Sequence, residues 1–170
     1  MLLRSTLAIA AALVLLVTGL YVWTRVSPRE LRAEVEIDAT PAQVWTVLAD
    51  FPAYPEWNPF IISAVGEARV GAKLTNELSN DGGVMTFKPK VLTATPGEEL
   101  RWIGRFGMPG IVDGEHYFLL QEIAGGRTRL VQGETFTGVL VPFVGGMLKV
   151  EDDFAEMNAA LKARVEKMAG

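Results

Sequence analysis

An α+β domain, with one antiparallel sheet of six to seven strands, a long C-terminal helix and a separate N-terminal apolar helix, is what this sequence predicts. Two patterns carry the domain. Several short segments alternate apolar and polar residues between glycine- and proline-rich turns, as half-buried strands do. Near the end, Phe143, Met147, Val150, Phe154, Met157, Leu161, Val165 and Met168 recur at three- and four-residue intervals, the spacing of one buried helical stripe. A sheet and an amphipathic helix of this kind bury their apolar faces against each other. A third observation sets the N-terminus apart. Leu7 to Trp23 is apolar except for Thr18 and Gly19, with Arg4 before it and Arg25 after it.

That apolar run predicts a membrane anchor over residues 1–25, followed by a domain over 26–170. About 17–20 helical residues span about 25–30 Å, enough for a bilayer core. Tyr21 and Trp23 fall where an interfacial aromatic belt sits. A cleaved signal peptide is the competing reading, because Val17 and Gly19 are small enough to flank a cleavage point. The anchor is preferred because Leu20-Tyr21-Val22-Trp23 continues the apolar run past that point. A soluble chain with a buried N-terminal helix is the third possibility. Two cues to orientation conflict. The count of Arg25, Arg29 and Arg32 against Arg4 favours the cytoplasm for the domain. Short anchors with a basic start usually put the attached domain outside, and this domain is expected there, on the periplasmic or extracellular side.

The elements come in order along the chain. Arg25 to Glu30 reads as the only linker. Residues 30–38 place Leu31, Ala33, Val35 and Ile37 on one face and Arg32, Glu34, Glu36 and Asp38 on the other, a strand with one wet side. Thr40 is an N-cap and Pro41 a first-turn proline, and Val44, Trp45 and Leu48 then mark a helix face. From Phe51 to Phe60 the prolines Pro52, Pro55 and Pro59 rule out one regular helix. The stretch instead sets Phe51, Tyr54, Trp57 and Phe60 on a stiff turn, suited to the wall of an apolar cavity. Strands are expected at 61–68, 72–79, 84–95, 98–106, 114–123 and 128–137. Asn80-Asp81-Gly82-Gly83 reads as a hairpin turn. On 98–106, Leu100, Trp102, Gly104 and Phe106 share a face. The loop from Gly107 to Asp113 is unusually apolar for a connection. The last helix is expected from about Pro142 to Met168, with Gly145-Gly146 allowing a kink or a close backbone approach.

Composition closes off several functions. There are no cysteines, which excludes disulfides, thiolate metal sites and cysteine nucleophiles. Removing Arg4 and Arg25 from the formal charge of −4 leaves −6 for residues 26–170, a poor balance for binding nucleic acid. No phosphate-cradling glycine loop, GxSxG, HExxH or CxxC is present. Ser5, Ser27, Ser63 and Ser79 lack a plausible local base. One histidine cannot build a three-histidine metal site, and no metal or other cofactor is expected.

The candidate site residues come from strand parity. His116 shares a face with Phe118 and Leu120, so if these point inward the only histidine does too. It can then act as a base or a ligand contact, or simply be a hydrogen-bonded histidine near the sheet edge. Gln132 and Glu134 share parity with Leu130 and Phe136. An inward Glu134 puts a carboxylate beside His116 as an acid or base, whereas a bulge would turn it to solvent. Asp113 and Glu115 are expected to be solvated. Trp57 can lid a cavity and Asn58 can bond a ligand carbonyl, or the two can be core and turn residues. Trp102 and Phe106 serve as ligand contacts or as core.

Ile37, Ala39, Val44, Trp45, Asp50, Phe51, Tyr54, Pro55, Trp57, Asn58 and Pro59 resemble the opening signature of the START-like, helix-grip (SRPBCC) superfamily, in its polyketide cyclase/dehydrase branch. The resemblance continues through Gly114-Glu115-His116-Tyr117-Phe118, Phe136-Thr137-Gly138 and Phe154 to Lys162, and covers roughly residues 30–168. It implies a curved sheet gripping the C-terminal helix, with a ligand cavity between them. Three functions fit: a membrane-tethered binder of a small hydrophobic or lipid-like ligand, a cyclase/dehydratase-like enzyme using His116 and Glu134 as an acid–base pair, or a non-catalytic structural or partner-binding domain. Fold alone does not choose among them.

Overall fold

A computed structural model describes residues 2–80, 83–145, 148 and 150–169. Helix α1 (Leu2–Val26) leads, and Ser27-Pro28 separates it from strand β1 (Arg29–Ile37). Helix α2 (Pro41–Leu48) and a 3-10 turn (Phe51–Glu56) follow. Seven further strands come next: β2 (Ile61–Val65), β3 (Thr75–Asn80), β4 (Gly83–Phe87), β5 (Lys90–Thr95), β6 (Glu99–Phe106), β7 (Val112–Ile123) and β8 (Arg127–Thr137). A short α3 (Val141–Val144) and the long α4 (Glu151–Ala169) complete the chain. One sheet runs β1-β8-β7-β6-β5 and a smaller one β2-β3-β4, with antiparallel pairing throughout. Together they form the expected curved antiparallel wall around the C-terminal helix.

Local chemistry explains the helix entries. Thr40 Oγ1 accepts the Gln43 N–H, and the Gln43 side chain accepts the Thr40 N–H in return, so two free donors of the first turn are satisfied reciprocally. In the 3-10 turn Phe51 and Tyr54 are fully buried, and the Tyr54 hydroxyl donates to the Leu48 carbonyl at 2.7 Å. Burial, and then the Asp50 carboxylate, pushes the Tyr54 hydroxyl pKa far upward. The turn closes on Asn58, whose Oδ1 accepts the N–H groups of Phe60 and Ile61 at 3.0 and 2.8 Å.

The linker expected over Arg25 to Glu30 shrinks to Ser27-Pro28, because Arg25 and Val26 end α1 and Arg29 and Glu30 begin β1, and three larger boundaries differ from the sequence reading. The segment expected as one strand over 84–95 is two, because Pro89 has no N–H for the ladder and its carbonyl instead accepts Leu74 N–H. Hence eight strands stand where six to seven were expected. The strand expected over 61–68 stops at Val65, since Gly66 turns at φ 135° against Leu74. The helix expected from Pro142 is broken into α3 and α4. Phe143, placed on its buried stripe, is exposed. Gly146, Met147 and Lys149 lie outside the described residues, as do the hairpin residues Asp81 and Gly82. Strands β3 and β4 nonetheless pair with Asn80 opposite Gly83.

Helix α4 buries Phe154, Met157, Leu161 and Val165 against β1, β8 and α2. Glu166 ties its far end to the sheet. One carboxylate oxygen accepts the Asp38 N–H at 2.8 Å and the Lys162 ammonium at 2.7 Å. The Asp38 N–H first, and Lys162 second, hold the Glu166 pKa below its ordinary 4.5. A carboxylate whose pKa is depressed by folding contributes stability above its unfolded pKa and loses it as pH falls through the folded value. Glu166→Gln is therefore expected to flatten the acid limb of a urea-midpoint against pH curve. The site is largely solvated, so the loss near neutral pH is at most about 1 kcal/mol.

Candidate ligand pocket

The glycines at facing positions of β6 and β7 open the interior. Gly104 stands opposite Gly114 in the ladder, so two side chains are missing from the inner face of the sheet at one level. There a cavity of about 250 Å³ lies between the sheets and the start of α4. The large sheet contributes Trp102, Phe106, Val112, His116, Glu134 and Phe136. The small sheet and its approach contribute Phe60, Asn76, Leu78, Met85 and Phe87, and the far wall is Val144, Leu148, Val150 and Asp153. The lining is mostly apolar, with a few polar groups set into it.

Strand register builds the polar part. His116 lies between Trp102 on β6 and Glu134 on β8 as direct cross-strand neighbours. The Trp102 and His116 rings stack with centroids 5.1 Å apart and planes 8° from parallel. Phe154 meets the imidazole edge-on at 4.9 Å. His116 is only 4% exposed. Its Nδ1 is 3.5 Å from Glu134 Oε2, and its Nε2 is 3.2 Å from the Gln132 amide nitrogen. With the Gln132 N–H donating to Nε2, the ring proton is assigned to Nδ1, facing the carboxylate. Glu134 reaches this position because Gly114 makes room: a Cβ there would collide with the Glu134 carboxylate and the Phe136 ring.

Of the residues chosen from the sequence, Trp102, Phe106, His116 and Glu134 line the cavity. Phe118 and Gln132 have the expected inward parity but are fully buried behind it, Phe118 against Trp102 and His116, and Gln132 against His116 and Met157. Trp57 and Asn58 are not at the cavity wall. Trp57 packs edge-on against Tyr54 with centroids 4.9 Å apart, and Asn58 spends its carbonyl on backbone. Asp113, expected in solvent, is buried, bonded to the Gly110 N–H at 3.1 Å and paired with Arg105 at 3.5 Å. Glu115 pairs with Arg101 at 2.7 Å. The sequence reading missed Asn76, which is buried at the cavity wall with an unpartnered Oδ1. It also missed the structural meaning of Gly104, although a glycine inside a strand pattern marks a close approach or a gap. Among the described residues no cluster of three or more His, Asp or Glu is placed to hold a metal ion.

An antiparallel sheet wrapped on a C-terminal helix, with a mainly apolar cavity between them, defines a helix-grip ligand-binding domain. The sequence profile of the family described as polyketide cyclase/dehydrase and lipid transport matches residues 28–166, and the chain belongs to that family. Solved structures agree on the fold. The Zhui aromatase/cyclase from Streptomyces sp. R1128 superimposes with a TM-score of 0.69 at 16% identity, over 84% of this chain and 96% of that one. A START superfamily protein from Mycobacterium smegmatis gives 0.62 at 21% identity, over 82% and 98%. A norcoclaurine synthase point mutant from Thalictrum flavum, solved with a transition-state analogue, gives 0.67 at 13% identity, over 84% and 97%. No curated protein matches the chain significantly. At these identities the likeness is one of fold.

Proposed function

We propose that residues 26–170 bind a small hydrophobic or lipid-like molecule in this cavity, and that residues 1–25 hold the domain at a membrane. The observation that carries the reading is the mainly apolar cavity between Trp102, Phe136, Phe87 and Leu148, with Asn76, His116 and Glu134 set into its wall. An apolar pocket with few polar groups takes an apolar body and orients it by one or two hydrogen bonds. At about 250 Å³ the cavity falls just under the roughly 300 Å³ at which drug-sized sites begin. It suits a compact ring system or a single short chain, and cannot swallow a whole phospholipid. The family's lipid-transport members and the fold's aromatase/cyclase relatives are consistent with such a ligand. The tether rests on α1, whose apolar stretch from Arg4 to Val26 has the length and composition of a span. The basic start at Arg4 favours the outer side for the domain. Delipidated protein titrated with a fluorescent fatty acid, a quinone, an isoprenoid and an aromatic dye is expected to bind at least one saturably. No saturable binding to any of them would sink this reading.

A second reading, dehydration or cyclisation of the bound molecule, is favoured by one observation: His116 and Glu134 both reach the cavity and lie 3.5 Å apart. The hydrogen bonds divide the labour. Gln132 engages the unprotonated ring nitrogen, so His116 is a positioning partner. Glu134 is the group free to exchange a proton with a ligand. General acid–base catalysis by one side chain contributes about 10²–10⁴-fold. If the ligand extracted from the protein is turned over, Glu134→Gln is expected to slow that turnover by about this factor while binding persists. Unchanged turnover in that variant excludes the dyad.

A further inference from the structure

We infer that the end of the domain carrying Phe106, Met108, Leu140 and Phe143 rests in the lipid headgroup–acyl boundary, so that the cavity rim faces the bilayer. This rests on the proposed tether and adds to it a fixed docking geometry. The last turns of α1 are not a free linker. Thr24 is 3% exposed; its hydroxyl accepts the Gly138 N–H at 3.0 Å and donates to the Tyr21 carbonyl at 3.1 Å. Gly138 has φ 127°, and a Cβ there would run into the Ile111 backbone. The Tyr21 ring lies against Gly110, where an added Cβ would meet it at 3.1 Å. Asp113, holding the Gly110 N–H, is also 3.9 Å from Arg25. Backbone bonds from Val139 to Gly110 and from Leu140 to Ile111 lock the two loops together.

The segments that clamp α1 are therefore residues 106–113 and 138–144 themselves. They carry four exposed large apolar side chains: Phe106 at 70%, Met108 at 71%, Leu140 at 43% and Phe143 at 71%. Exposed apolar groups gathered on one end are costly in water and mark an interaction surface. The occupant is lipid because the same end is continuous with α1. That helix leaves the domain with its apolar stretch unburied and with Tyr21 and Trp23 exposed at its domain-proximal end, the level of a membrane interface. Phe106, Val112 and Val144 from these segments also line the cavity. A hydrophobic ligand can thus pass between acyl chains and pocket without crossing bulk water.

The chain has no native cysteine, which makes the test direct. Full-length Met108→Cys, Phe143→Cys, Leu13→Cys and Glu122→Cys, each labelled with a small fluorophore, are reconstituted in phosphatidylcholine/phosphatidylglycerol vesicles containing brominated lipid. Glu122 lies ten positions along β7 from Val112, about 33 Å away, and reports the far end of the domain. Labels at 108 and 143 are expected to be quenched about threefold or more strongly than the label at 122, as for groups lying at the acyl boundary. If 108 and 143 match 122 while 13 is quenched, the tether stands and the docking proposal is overturned. If 13 is also unquenched, the tether reading falls and the docking falls with it.

Discussion

Gly104→Phe is expected to abolish ligand binding without unfolding the domain. The Gly104 backbone is ordinary strand backbone. A Cβ there meets the Phe87 ring at 3.8 Å and the Gly114 carbonyl at 4.0 Å, both normal contacts. The added ring therefore enters the cavity that the facing glycines create, and displaces ligand volume from a space of about 250 Å³. Affinity for whichever probe the wild type binds should fall at least about tenfold, or roughly 1.4 kcal/mol. Because the ring fills a void and displaces no packed neighbour, the urea midpoint should stay within about 1 kcal/mol of wild type. Titration and urea unfolding on the same samples check both halves.

The largest stability effect is expected at Phe154. It is fully buried on α4, edge-on to Phe60 at 5.8 Å and to His116 at 4.9 Å, so it is the hinge of contact between helix, aromatic turn and polar cluster. Truncation of a buried phenylalanine removes its transfer free energy and leaves a cavity, together about 3–5 kcal/mol. Against a total stability of about 5–15 kcal/mol, Phe154→Ala should move the urea midpoint by a large fraction of its wild-type value. Phe143→Ala, the same change at a residue that is 71% exposed, should shift it by no more than about 0.5 kcal/mol. The contrast separates the α4 core from the apolar rim.

The parts of the fold set by local chemistry were legible in the sequence. Thr40-Pro41 and the spacing of Val44 and Leu48 define α2 with its reciprocal cap. The parity of His116, Phe118 and Leu120, and of Leu130, Gln132, Glu134 and Phe136, places all seven on the inner face, because a strand cannot turn one of them without turning the rest. What parity cannot resolve is depth. Gln132 and Glu134 share a face, yet one is sealed behind His116 and the other reaches the cavity, a distinction made by the gap at Gly114. Phe106 shares a face with Trp102 but is the last residue of its strand, and is exposed. Trp57 and Asn58 follow the 3-10 turn, in irregular backbone with no period to orient them. Asn76 belongs to a short strand in a second sheet, whose placement over the first depends on contacts distant in sequence. The start of α4 was misjudged because Phe143 matches the stripe by spacing alone, while Gly145-Gly146 favour an interruption that the apolar period does not record.

The cavity as a binding site is tested most directly by mass spectrometry of small molecules extracted from full-length protein purified with its native membrane, beside Gly104→Phe prepared identically. The wild type is expected to carry an equimolar apolar molecule, and the variant to carry none. Equal amounts in both, or none in either, would contradict it.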